Sequence, residues 1–112
     1  IPGHTYGSIA LLDRENKLLI AGDSISETPI FMFGAMRSLP AFVASMEKLT
    51  HYAEEFDTIL PSHGSCPIPA TQLAAVKSAA EALARGELTP QDPPFPLPAK
   101  IYSNGTAAFF AD

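Results

Sequence analysis

Cysteine is almost missing from this chain. The single one, Cys66, cannot close an internal disulfide. That excludes a disulfide-stapled secreted scaffold and makes a reducing cytoplasm the expected compartment. Basic residues are also scarce: 7 Lys+Arg against 12 Asp+Glu leave a formal net charge of -5. Binding to a nucleic-acid backbone needs a basic patch, and the chain has none, so no nucleic-acid partner is expected. A small phosphorylated substrate stays open. No apolar run approaches the roughly 20 residues needed to cross a bilayer. No charged start leads into a long apolar stretch either, so neither a signal peptide nor a membrane partner is expected. No segment repeats, and the one low-complexity stretch is the proline-rich run 90–98.

What is present points to a packed body. Apolar residues make up 46% of the 112 positions, too many for a disordered chain. That length fits one domain at most, burying roughly two-thirds of the surface its unfolded chain exposes. The opening Ile1-Pro2-Gly3-His4 reads as the middle of a loop, so an upstream portion is expected.

Apolar runs at 7–12 and 17–22 read as buried strands, and the polar link Asp13-Arg14-Glu15-Asn16 between them predicts an antiparallel hairpin. Residues 24–37 show no clear period and read as an irregular, partly apolar loop. Ser38 is a natural N-cap with Pro40 in the first turn. From there Leu39, Phe42, Val43, Met46, Leu49, Ala53 and Phe56 recur at three- and four-residue spacing, the pattern of an amphipathic helix. The short run Asp57–Pro61 reads as a strand. A second helix is expected from Thr71 to Arg85, stopping at Gly86, with Lys77, Glu81 and Arg85 as a ladder on its solvent face. Residues 90–98 read as an extended surface connection. The segments 100–102 and 107–110 flank Asn104-Gly105, which predicts a hairpin with a type I′ turn. The fold class is therefore α/β, in the order hairpin, helix, strand, helix, hairpin.

That order has a geometric consequence. His4 precedes the first strand and Asp23 follows the second, so a hairpin returns the chain to where it began and sets both at one sheet edge. His63 also follows directly on a strand end. Loops at one edge of a sheet commonly build sites, and Zn²⁺ accepts His nitrogen and Asp oxygen. Each residue also has a duller reading: a His beside Gly as a loop residue, Gly-Asp as a turn or helix N-cap. His51 falls on the charged face of the first helix. Cys66 follows the Ser-His-Gly loop and reads as a small packed residue. Phe31, Met32, Phe33 and Met36 read as pocket lining or, slightly favoured, as core. Tyr6, between Thr5 and Gly7, could face the site mouth.

Three segments together say more. Pro2-Gly3-His4-Thr5-x-Gly7-Ser8-Ile9, then Leu19-Ile20-Ala21-Gly22-Asp23-Ser24, then Leu60-Pro61-Ser62-His63-Gly64 resemble, in order and approximate spacing, the later metal-binding motifs of the metallo-β-lactamase superfamily. The resemblance covers nearly the whole chain and implies the C-terminal portion, residues 1–112, of one αββα sandwich domain whose N-terminal half is absent. It implies that His4 binds a first metal, that Asp23 contacts the second metal or bridges both, and that His63 binds the second. Thr5 and Ser24 would be supporting hydrogen-bond donors, or ordinary polar turn residues. The metals would be zinc, two ions in the complete protein, with other divalent ions compatible, acting on a small-molecule substrate through activated water.

The family's first signature, His-x-His-x-Asp-His, is absent from these residues. The three ligands would thus belong to two incomplete sites, and the chain alone is expected to be inactive. The alternative reading is a non-catalytic chain that folds by self-association. Half a sandwich leaves a sheet face uncovered, so a homo-oligomer, or pairing with the absent half, is expected.

Overall fold

The computed structural model describes residues 1–112. Its first hairpin pairs β1 (Leu11–Asp13) with β2 (Leu18–Gly22), antiparallel, with Leu11 opposite Ile20 and Asp13 opposite Leu18. The turn is closed by the Asp13 carboxylate, which accepts from the Asn16 backbone N–H and from Asn16 Nδ2. β1 begins four residues later than the apolar run suggests. Ser8 explains the delay: its hydroxyl bonds both the backbone N–H and the hydroxyl of Thr5, tying the chain into a bend.

Segment 24–37, read as irregular, contains a strand. β3 (Ile30–Met32) buries Ile30 and Met32 and turns Phe31 outward. Three residues are too few to display a period of two, so the strand was invisible to pattern. Its partner is β7 (Ala108–Ala111), 78 residues on, in parallel register with Ile30 opposite Phe109.

α1 (Leu39–Thr50) starts where its cap predicts. Ser38 Oγ accepts from the Ala41 N–H at 3.2 Å. The helix buries Phe42, Ser45, Met46 and Leu49. The apolar period continues to Phe56, but the helix does not. Thr50 Oγ1 bonds the Met46 carbonyl, and the His51 and Tyr52 N–H groups bond carbonyls three residues back, which tightens the last turn. A 3₁₀ turn, Ala53–Glu55, then delivers Phe56 to the core.

β4 (Thr58–Pro61) runs parallel to β2, with Leu19 opposite Ile59 and Gly22 opposite Pro61, so α1 is the crossover between them. A two-residue strand, β5 (Ile68–Pro69), pairs antiparallel with β4. α2 (Thr71–Ala84) buries Leu73, Val76, Ala79 and Ala80, and Gly86 follows it with φ +70°. Its expected ladder is different in detail. Lys77 bonds Glu81 at 3.4 Å but also reaches Glu47 on α1 at 3.1 Å, whereas Arg85 turns to Glu87. β6 (Lys100–Ser103) and β7 close the chain as an antiparallel hairpin. Its turn is not type I′: Gly105 alone has positive φ, and the Asn104 side chain accepts from the N–H groups of Thr106 and Ala107.

The α/β class holds, in two sheets ordered β1-β2-β4-β5 and β3-β7-β6. One cluster of 18 buried apolar residues joins both sheets to both helices. The four-stranded sheet sends Leu19, Ala21 and Ile59 into it. On the opposite face, Leu11, Ile20 and Leu60 form a cross-strand row, with Leu11 and Ile20 exposed and Leu60 half-buried. No helix is long and apolar enough to cross a membrane.

Candidate functional site

Parallel pairing of β2 and β4 aligns their C-terminal ends. Gly22 stands opposite Pro61, and the Ser62 N–H bonds the Gly22 carbonyl at 3.0 Å. Asp23 and His63 therefore leave the sheet side by side. Gly22 turns the chain with φ +58°. Gly64, at φ +75°, lets the His63 loop lie against Thr28; a Cβ there would stand 2.7 Å from the Thr28 methyl. His63 Nε2 lies 2.9 Å from Asp23 Oδ1.

His4 arrives by another route. It sits in a bend seven residues ahead of β1, so the hairpin alone does not carry it to the sheet edge. The bend is pressed onto α1 instead. The Gly3 carbonyl accepts from the Ser38 N–H, and the Pro2 carbonyl accepts from Ser45 Oγ. Gly3 approaches so closely that a Cβ would lie 2.4 Å from the Phe42 Cα. The His4 ring then meets β3, with Nδ1 2.9 Å from the Phe31 carbonyl. Arg37 donates to the His4 carbonyl through Nη1, which also stands 3.3 Å from each ring nitrogen. His4 Nε2 lies 3.5 Å from Asp23 Oδ2.

The structure thus brings His4, Asp23 and His63 together, one carboxylate between two imidazoles. Side-chain exposures are 12%, 42% and 72% respectively. A carbonyl can only accept, so Nδ1 of His4 carries the hydrogen and Nε2 of the neutral ring is bare. That nitrogen has two neighbours, the Asp23 oxygen at 3.5 Å and the Arg37 Nη1 donor at 3.3 Å. The donor set has the nitrogen and oxygen atoms that zinc accepts, and a carbonyl on the far ring nitrogen is the usual way to orient such a ligand. The set is incomplete, however. No three His, Cys, Asp or Glu side chains are grouped so as to hold an ion.

The other candidates fall as follows. Thr5 bonds Ser8. Ser24 is buried with its hydroxyl unpartnered. Tyr6 is exposed and does not line the cleft beside these residues. His51 is on the surface, 3.7 Å from Glu47, as its helix face predicts. Cys66, expected to be packed, is exposed. Met32 fills core and Met36 is exposed, whereas Phe31 lines the cleft.

A cleft of about 530 Å³ opens beside the three residues. Its polar lining includes His4, Asp23, His63 and Arg37, and its apolar lining includes the ring cluster Phe31, Phe110 and Phe95. Two of these groups went unnoticed in the sequence. Arg37 carries no motif; its only signal is a cation at the start of α1, where the helix dipole does not favour one. Phe95 lies in the proline-rich run. That run is a strap rather than a loose connection: Gln91 and Ile101 exchange backbone hydrogen bonds of 3.0 and 2.9 Å, and Asp92 pairs with Lys100 at 2.5 Å.

No family model matches the chain. A stretch of 65 residues is 31% identical to acyl-coenzyme A thioesterase MBLAC2 of Gallus gallus. The match covers 56% of this chain and 24% of that protein, so the chain matches about a quarter of the length of this curated relative.

Proposed function

We propose that this chain supplies His4, Asp23 and His63 as metal ligands, and one wall of the substrate cleft, to a metal-dependent hydrolase of the metallo-β-lactamase superfamily. One observation carries the reading: the two oxygens of Asp23 face His4 Nε2 and His63 Nε2 at the mouth of the cleft. The ordered trio of motifs and the partial match to a thioesterase support it. Zinc is the proposed metal, two ions in the complete protein. Such ions activate water and polarise the bond to be cleaved.

The chain's own residues have definable parts in this. The Phe31 carbonyl holds the Nδ1 hydrogen of His4 and turns Nε2 toward Asp23, with Arg37 Nη1 3.3 Å away, so a ligand bond there would displace Arg37. Asp23 lies between the histidines and can serve an ion on either side. The apolar wall excludes water from a bound acyl group. The substrate is a small molecule, and a thioester is the first class to try, given the activity named for the relative. The proposed setting is the cytoplasm, away from nucleic acid and membrane. Metal analysis tests the reading. Zinc bound by the complete protein should be lost in His4→Ala and in Asp23→Ala, with activity; full zinc retention in both variants ends the reading.

One observation favours a second reading, an inactive chain that folds by self-association. The row Leu11, Ile20 and Leu60 leaves apolar surface on an open sheet face, which a second copy would cover. Sedimentation of this chain should then show a dimer or larger. A monomer with a single cooperative melt counts against it.

A further inference from the structure

We infer that the cleft beside Asp23 binds a small carboxylate bearing an apolar chain, with the carboxylate on Arg37 and the chain against Phe31, Phe95 and Phe110; this rests on the hydrolase reading only in taking the cleft for the substrate's.

Among the cleft's 13 lining residues only Asp23 and Arg37 carry a fixed charge. Asp23 opposes an anion, but both its oxygens already face histidine nitrogens, at 3.5 and 2.9 Å. Arg37 faces no carboxylate of the protein. Its Nε donates to the Phe33 carbonyl at 3.4 Å and its Nη1 to the His4 carbonyl, while Nη2 donates to neither. A half-buried guanidinium with Nη2 left to water can take up an incoming acceptor. A carboxylate is the acceptor whose shape suits it.

The apolar side selects what hangs from that carboxylate. Phe31 and Phe95 are large apolar side chains left exposed, and each packs edge-on against Phe110, at 5.3 and 5.7 Å between ring centres. Together they make a continuous aromatic wall beside a single cation. A volume of about 530 Å³ lies within the range of small-molecule sites. Hydrolysis of an apolar acyl ester or thioester by water yields such a carboxylate, with an alcohol or a thiol as the other product. The cleft therefore fits the acid half of the reaction.

Titration calorimetry on the metal-free chain tests this with octanoate and its neutral analogue octanamide. Octanoate should bind about tenfold more tightly, the size of one charge-assisted hydrogen bond. Arg37→Met should lower octanoate to the level of octanamide, and Arg37→Lys should keep part of the preference. Phe95→Ala alters a half-exposed ring and should weaken both ligands by a similar factor, leaving their ratio unchanged. Equal binding of the two ligands to the unaltered chain overturns the inference, as does a ratio unchanged in Arg37→Met. If Arg37→Met fails to fold, the ratio in the unaltered chain and in Phe95→Ala still decides. No metal is present in these measurements, so the inference can fail while zinc binding stands, and zinc binding can fail while it stands.

Discussion

His4 and His63 stand on opposite sides of Asp23, and the loops that carry them are held by unlike means. His63 is placed by the sheet: parallel β2 and β4 end together, and two residues past Pro61 its side chain projects largely into solvent. His4 is placed by distant parts of the chain. Ser38 and Ser45 hold the Gly3 and Pro2 carbonyls ahead of it, β3 takes its ring through the Phe31 carbonyl, and Arg37 clamps the His4 carbonyl. The difference teaches that one site can combine a pre-set donor with an adaptable one. A side chain already ordered gives up little further freedom on binding, whereas His63 gives up rotamer freedom when an ion or partner takes it.

The largest expected effect tests the anchoring of the His4 loop. Gly3→Ala would drive a Cβ into the Phe42 backbone, which cannot move aside without disturbing α1. The expected loss is about 3 kcal/mol of stability in urea denaturation. Gly64→Ala meets only the end of the Thr28 side chain, which can turn away. Its expected loss is about 1 kcal/mol, mainly the left-handed backbone. Equal losses in the two variants would break the comparison.

Next in size is Arg37→Met, with an expected loss of about 1–2 kcal/mol, because it removes the donor to the His4 carbonyl. In imidazole NMR spectra the His4 ring should broaden while that of His63 stays as it was. Broadening of both rings would mean that one network holds them.

Asp23→Asn should cost less than about 1 kcal/mol, since the His63 pair is exposed enough for water to compete and an amide can still bond the bare His4 Nε2. His4 should keep its ring position through Phe31, and His63 should gain rotamer freedom, read as scalar couplings averaged over rotamers.

The smallest effect concerns the strap, whose Asp92–Lys100 pair lies outside the cleft that His4 and His63 line and so serves as a control. Lys100 beside Asp92 holds that carboxyl below its usual 3.8, first by hydrogen bond and then by charge. A carboxyl whose folded value lies below its unfolded one stabilises the fold above the unfolded value. That stabilisation fades as pH falls through the folded value. Protection of the Gln91 and Ile101 amides, measured against the exchange rate of an unfolded chain at the same pH, should therefore fall slightly below about pH 3.8, and added salt should mimic it. A matching change at His4 would show that the strap and the first loop are coupled.

Legibility in the sequence followed the range of the interactions. The Ser38 cap, the start and end of α2 and the first hairpin could all be read, because each is decided within a few residues. The end of α1 could not, since its apolar period runs on past Thr50 while the side chain of Thr50 tightens the turn. β3 was hidden for the opposite reason: its pairing lies with Ala108–Ala111, and nothing local marks it. The Asn104-Gly105 turn was placed correctly and typed wrongly. Asn104 spends its side chain on the N–H groups that follow instead of adopting a positive φ.

The candidate site divides in the same way. Asp23 and His63 were legible because each follows a short apolar run that ends at Gly22 or Pro61, and such runs mark strand ends within a few residues. By itself, the sequence determined the α/β class, the starts of both helices and the places of Asp23 and His63 just past strand ends. Tertiary structure decided the rest: that His4 reaches Asp23, that Arg37 lies against its ring, and that Phe95 walls the cleft. These depend on contacts between residues tens of positions apart, whose geometry exists only once β3 has paired with β7 and the first loop has seated on α1.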